Sequence, residues 1–414
     1  MKLSNYISNI ATLSGGTLVS QIISLFAVLI ISRLYEPAQL GTAAFFIAIA
    51  SVLSPLFTCK YDFAIFSPKE NKESIKFFFG SILINLFLSL FTIFSILLIS
   101  FFLNYNFKWY LITVFLSLLN GLDFSLTAWF NRNKEYRYIT IARILRILIL
   151  NISIILFGLW NPKPIFIVLS NVIGLIIFNL FLSLFFKIKY HNEVYFSINE
   201  IIQKLRNNLD FPRYSLPASI INILSAQSPV IILKILFGEA VAGVYTLVNR
   251  VMGAPSQLIA GATGEVYRQK ASSDYSQEGN CYSLFLKTFK GLFLIATVPF
   301  IVVVIFGPSL FFGIFGEQWI ESGYFARYLA IFFLLRFCVS PLSFTLIIAN
   351  RQNYNFSWQV FLFINTTVSI MYGYILEDYM ISVIAFSLVY SIMYILYFKE
   401  IASSAKGNID SGKN

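Results

Sequence analysis

The 414-residue chain is 58% hydrophobic and only 12% charged, too little polar material to clothe a soluble body of its length. Its net charge of +11 does not point to nucleic acid, because Lys and Arg fall in short connectors between apolar runs. The cysteines, Cys59, Cys281 and Cys338, are scattered without metal-ligand spacing, and His191 stands in a polar connector without partners, so no metal or cofactor is expected.

The first apolar stretch runs from near Ile7 to Ile31, crosses Ser14-Gly15-Gly16-Thr17, and has no small-residue cleavage site after it. It reads as a retained first helix. Crossing a core of ~30 Å takes about 20 helical residues. That length predicts spans at 8–32, 39–59, 77–103, 107–130, 138–158 and 164–186, then 213–237, 241–265, 286–306, 323–349, 356–376 and 379–398. With the N-terminus inside, 21 basic residues fall on inside segments and three, Arg33, Lys108 and Lys163, on outside ones. The positive-inside rule therefore puts both termini in the cytoplasm.

Between the sixth and seventh spans, Ile198, Ile201, Ile202, Leu205 and Leu209 recur at helical spacing, and Ser197 with Glu200 has the form of a capping box. The pattern predicts an amphipathic helix on the headgroup layer. The expected organisation is an all-α polytopic membrane protein. A six-helix bundle over 1–187 is followed by a linker helix over 188–212, a second six-helix bundle over 213–400 and a disordered tail over 401–414. Leu34-Tyr35-Glu36-Pro37-Ala38-Gln39-Leu40-Gly41 can be laid over Leu236-Phe237-Gly238-Glu239-Ala240-Val241-Ala242-Gly243 without gaps, which makes the two bundles parallel repeats. Gly15-Gly16, Pro55, Pro217, Pro229, Pro255 and Pro299 are expected to interrupt their helices.

An ionisable group at bilayer depth costs about 3 kcal/mol or more, so each one asks for a reason. The chain places Asp123, Arg143, Arg146, Lys234, Arg250, Arg327 and Arg336 within spans, with Lys60, Asp62 and Glu265 near their ends. Arg143 and Arg327 lie close enough to span ends to snorkel. Arg146, Arg250 and Arg336 lie deeper and point to a hydrated interior, while Lys234 is open to either reading. Asp123 is either a structural partner for an arginine or a titrating group in ion coupling, with Asp62 and Glu265 as further coupling candidates. Six cations against one deep carboxylate predict a cavity for an anion. Arginine suits phosphate in particular through its planar fork.

Ser32-Arg33-Leu34-Tyr35-Glu36-Pro37 through Gly41, then Tyr61-Asp62-Phe63-Ala64-Ile65, resembles the bacterial polysaccharide-unit flippases of the multidrug/oligosaccharidyl-lipid/polysaccharide exporter superfamily. Trp129-Phe130-Asn131-Arg132 leading to Arg143 is similar to that family's fourth-to-fifth helix junction. Asp210-Phe211-Pro212 through Pro217, Pro229, Leu236-Phe237-Gly238, Gly243-Val244-Tyr245, Ser340-Pro341-Leu342 and Arg351-Gln352 continue the likeness. The resemblance implies transport of an undecaprenyl-pyrophosphate-linked oligosaccharide across the bacterial inner membrane by alternating access. The pathways it implies are O-antigen (lipopolysaccharide), capsule or exopolysaccharide synthesis. Arg146, Arg250, Arg336, Arg143 and Lys234 would form the cationic cavity. Expected partners are the lipid-linked substrate, membrane lipids, a polymerase and its chain-length machinery, and H+ or Na+ as coupling ion.

Two other functions compete. Organic-cation export on the same fold would want intramembrane carboxylates, the opposite of the charge surplus here. A membrane polymerase or ligase would need an extramembrane site, yet the largest outer connector, 307–322 with Glu317, Trp319 and Glu321, is short and holds no recognisable catalytic set.

Overall fold

The computed structural model describes residues 3–103, 107–190, 197–255, 259 and 261–407, with the backbone alone for 3–14, 103, 261, 262 and 265. Regular structure among these residues is helical throughout. The first helices are α1 (Leu3–Leu34), α2 (Pro37–Thr58), α3 (Tyr61–Ala64), α4 (Asn71–Leu103), α5 (Lys108–Arg132), α6 (Tyr136–Trp160), α7 (Pro164–Tyr190) and α8 (Ile198–Arg206). A π-helical turn at Phe211–Ser215 leads into α9 (Leu216–Phe237), α10 (Glu239–Pro255), α11 (Gly261–Glu278) and α12 (Tyr282–Phe315). The chain closes with α13 (Ile320–Val339), α14 (Phe344–Ile348), α15 (Gln352–Ile375) and α16 (Tyr379–Ala405).

Ten segments among the described residues are long and apolar enough to cross a membrane, and each falls on one of the twelve expected spans. The chain is a multi-pass membrane protein. The remaining two expected spans depart from the expectation. Over 241–265, α10 stops at Pro255 after 17 residues and α11 begins at Gly261. The new helix carries Arg268, Gln269, Lys270, Asp274 and Glu278, residues that stay out of lipid. Over 356–376, α15 forms, but Asn353, Asn355, Gln359 and Asn365 dilute its apolar run.

Other expectations shift for local reasons. The span expected at 323–349 breaks at Ser340–Leu342, where Pro341 opens a 3-10 turn. The connector expected at 307–322 shrinks to the turn Gly316–Trp319, because α12 continues through Pro299 and Pro308 to Phe315. Gly15-Gly16 does not interrupt α1. A Cβ at Gly16 would fall 2.2 Å from a Thr140 methyl carbon, so glycine there lets α1 and α6 pack closely. The helix α16 runs past residue 400 into the segment expected to be a disordered tail, because Ile401, Ser404 and Ala405 are buried and Cys281 N–H donates to Ala405 O at 2.8 Å. His191 and residues 408–414 lie outside the described residues.

The chain divides into two compact units, Met1–Tyr35 with Thr42–Gln227 and Glu36–Gly41 with Ser228–Asn414. In the first unit an aromatic core gathers Trp129, Phe130, Phe77, Phe78, Tyr61 and Tyr190. Beside it Arg132 donates to the carbonyls of Ile65, Phe66, Pro68 and Lys69, tying down the turn between α3 and α4. Deeper in the helices, Ser81 and Ser125 hydroxyls meet at 2.7 Å, and Asn85 and Asn179 donate to Leu118 O and Leu119 O. Such side-chain bonds hold helices together where lipid offers no hydrophobic drive.

The capping box read from the sequence opens α8: Ser197 Oγ accepts from Glu200 N, and the Glu200 carboxylate accepts from Ser197 N. Hydrogen bonds from the Lys76 ammonium and from the Ser197 backbone hold the Glu200 carboxyl below its usual range. The helix docks on α4 through Ile201 and Leu205, the latter 2.7 Å from where a Cβ at Gly80 would stand. Lys204 pairs with Glu73 at 2.7 Å, Lys76 with Glu200 at 3.1 Å, and Tyr61 Oη donates to Leu205 O at 2.9 Å.

In the second unit, the matched glycines of the two eight-residue segments meet each other. A Cβ at Gly41 would fall 1.8 Å from Glu239 O, and one at Gly243 would fall 1.8 Å from Pro37 O. The backbones there approach too closely for any side chain. Gly307 and Gly323 do the same for α12 and α13.

Candidate functional site

In the first unit, α5 presents Asp123 and α6 presents Arg146 one turn past Arg143. Arg146 Nη1 and Asp123 Oδ2 are 2.7 Å apart, with side chains 26% and 15% exposed. Thr127, four residues along α5, donates to the other Asp123 oxygen at 2.9 Å. Gly174 on α7 leaves room for the Arg146 backbone, and the guanidinium stands 6.0 Å from the Phe178 ring centroid. Of the two readings open for Asp123, the geometry contains an arginine partner. Arg143 is exposed, as a snorkelling residue would be.

A second charge pair closes the α2–α3 corner. Lys60 Nζ lies 3.5 Å from Asp62 Oδ2, both side chains are below 10% exposed, and Thr58 Oγ1 donates to Asp62 Oδ1 at 2.9 Å. Cys59 and Lys60 take positive φ to make this corner. Lys60 also sits 4.1 Å from the Phe63 ring centroid. Asp62 is therefore buried and paired, whereas the Glu265 side chain lies outside the described residues.

The second unit holds Lys234 at the α9–α10 turn, 4.0 Å from Glu239, and half-buried Arg250 on α10. Arg327 donates to Ile305 O at 3.0 Å. Arg336 on α13 is different. Its guanidinium stands 6.0 Å from the Phe332 ring centroid, within electrostatic reach of Tyr245, Tyr390 and Tyr394, and it makes no ion pair among the described residues. The sequence brings Arg250, Arg336 and Lys234 to one unit and Arg143 and Arg146 to the other.

Around Arg336 runs an aromatic ladder that the sequence reading missed. Phe332 and Tyr390 rings lie 4.3 Å apart, Tyr390 and Tyr394 stack at 5.3 Å, and Trp358 stacks on Tyr397 at 3.9 Å. Tyr397 Oη donates to Asn355 Oδ1 at 2.7 Å, and Trp358 Nε1 donates to Met393 O at 3.2 Å. Arg351 and Glu400 pair at the same ends of α15 and α16. The available signal was the spacing of Tyr390, Tyr394 and Tyr397, which places three phenols on one face of α16. Chemically, the arrangement offers a partly desolvated guanidinium with open donors, flanked by rings with polar rims. Among the described residues, no three His, Cys, Asp or Glu side chains come together to hold a metal.

Residues 30–323 match a family described as polysaccharide biosynthesis protein. No curated protein matches the sequence. The fold is similar to that of the lipid II flippase MurJ in an inward closed conformation, at 15% identity and a TM-score of 0.72, over 93% of this chain and 86% of that one. It is also similar to an inward-facing multidrug resistance MATE family transporter of the MOP superfamily, at 15% identity and TM-score 0.71, over 93% and 95% of the two chains. A MOP superfamily transporter from Pyrococcus furiosus, described as having a binding pocket of reverse polarity, matches at 12% identity and TM-score 0.53, over 96% of each chain.

Proposed function

The chain belongs to the polysaccharide biosynthesis protein family, and on that premise we propose that it flips lipid-linked saccharides across a membrane. The cargo in this reading is an undecaprenyl-pyrophosphate-linked oligosaccharide repeat unit, moved from the inner to the outer leaflet of a bacterial inner membrane by alternating access. The basic helix ends and both termini face the cytoplasm, as the positive-inside rule requires.

The observation that carries the reading is Arg336. A guanidinium inside the helices that makes no ion pair among the described residues is expensive to keep, and an anionic ligand removes that expense. Pyrophosphate offers oxygens matched to the guanidinium fork. The neighbouring phenols and rings suit sugar, whose faces are apolar and whose rims carry hydroxyls. Arg250 on α10 is the second cation we assign to the diphosphate. Arg146 serves differently in this account: Asp123 neutralises it, so the pair opens to substrate only if a coupling ion takes the place of Arg146 on Asp123. That makes Asp123 the candidate for ion coupling.

The test is a deletion strain read by leaflet. Complete lipid-linked units should accumulate on the cytoplasmic side and surface polymer should vanish, with rescue by wild type and not by Arg336→Ala. Units that reach the outer leaflet unpolymerised would replace this reading with a polymerase. An Asp123→Asn variant with full ion-dependent transport would remove the coupling role alone.

A further inference from the structure

The stripe Ile198, Ile201, Ile202, Leu205 is continuous on α8, yet only part of it is covered. Ile201 and Leu205 are buried against α4, while Ile198 and Ile202 are 59% and 54% exposed, as is Leu209 just beyond the helix at 56%. Arg206 flanks the open side, and Arg213 follows in the π-helical turn; both are exposed.

What covers that half follows from where α8 is tied. It begins eight residues after the end of the α7 span and leads directly into the span opening at Phe211. Nine residues rise only about 13 Å, far short of a ~30 Å core, so α8 stays at the surface where those two spans leave it. The lipid-facing side of α7 approaches the same level through Leu184 and Ile188, 60% and 74% exposed. The salt bridges of Lys204 to Glu73 and Lys76 to Glu200, with the Tyr61–Leu205 hydrogen bond, keep the helix from rolling its open half inward.

We propose that α8 is an anchor for anionic phospholipid: Ile198, Ile202 and Leu209 enter the boundary between acyl chains and headgroups, and Arg206 and Arg213 hold lipid phosphates. An exposed apolar edge flanked by cations is the composition of an interfacial helix. Basic residues near an anionic leaflet are drawn to its negative surface potential. Here the protein supplies the inner support and the bilayer the outer one, so the helix belongs to both. The anchor concerns where α8 rests, and it stands or falls independently of what the protein carries.

The experiment places nitroxides at Ile202→Cys and Gln203→Cys in the full-length protein, reconstituted in phosphatidylcholine alone or mixed with phosphatidylglycerol. Residue 202 should be reached by dissolved oxygen and shielded from a water-soluble nickel chelate, and residue 203 the reverse. Phosphatidylglycerol should deepen residue 202, and the pair Arg206→Gln with Arg213→Gln should abolish that deepening. Chelate access at residue 202 in both lipid mixtures overturns the proposal. So does shielding from both reagents, which would mean a protein partner on this face, or a depth indifferent to phosphatidylglycerol and to the arginines.

Discussion

The two units treat one deep arginine each in opposite ways, although the second also holds the ion pairs Lys234–Glu239 and Arg351–Glu400. In the first, Arg146 meets Asp123 at 2.7 Å and Lys60 meets Asp62 at 3.5 Å, each carboxylate further steadied by a threonine hydroxyl. In the second, Arg336 faces Phe332 and three tyrosines and makes no ion pair among the described residues. A closed pair has already met its electrostatic need and contributes to structure. An open cation keeps its need for a ligand. The difference teaches that an intramembrane arginine is not a binding residue by virtue of depth alone; its partners decide.

The largest effect expected from this contrast is on transport. Arg336→Met removes the open charge and strands no carboxylate among the described residues, so leaflet transport should be lost. The thermal midpoint should hold or rise, because replacing a buried ionic group with an apolar one is often neutral or stabilising by ~1–4 kcal/mol. Normal transport by this variant breaks the contrast.

Next comes the mirror experiment in the first unit. Asp123→Ala leaves Arg146 without its carboxylate and should destabilise the detergent-solubilised protein by up to about 3 kcal/mol. That is the low end for a broken buried pair, since Arg146 is a quarter exposed. Adding Arg146→Met should recover most of the loss. A double variant as unstable as the single one would show that the pair is not the unit of stability.

A smaller effect sharpens the account of Arg336 itself. Arg336→Lys keeps the charge and loses the fork, so flipping should fall below wild type yet exceed that of Arg336→Met. Equal loss in both would assign the function to geometry rather than charge. Smallest of all, Tyr394→Phe should shift stability by about 1 kcal/mol or less and leave transport largely intact, because the phenol tunes a site that the guanidinium carries. Transport lost in that variant would move the hydroxyls into the binding role.

What the sequence alone determined is what local chemistry dictates. Apolar length placed ten spans on ten helices, since a bilayer crossing is counted in residues, although α12 and α16 run nine and seven residues past their expected ends to Phe315 and Ala405. Ser197 and Glu200 announced their capping box because both partners lie within one turn. The likeness of Leu34–Gly41 to Leu236–Gly243 was legible, but its reason was not: Gly41 and Gly243 are glycines because two backbones distant in sequence pass within contact. Gly16 was misread for the same cause, its demand coming from Thr140 rather than from its own helix. The arginines could be found by their cost in lipid, whereas the assignment of a carboxylate to Arg146 and of an aromatic shell to Arg336 belonged to tertiary structure. Helical periodicity tells which residues share a face of one helix. Only packing brings α5 against α6, or α13 against α16, and so settles which charge is already answered and which is left open.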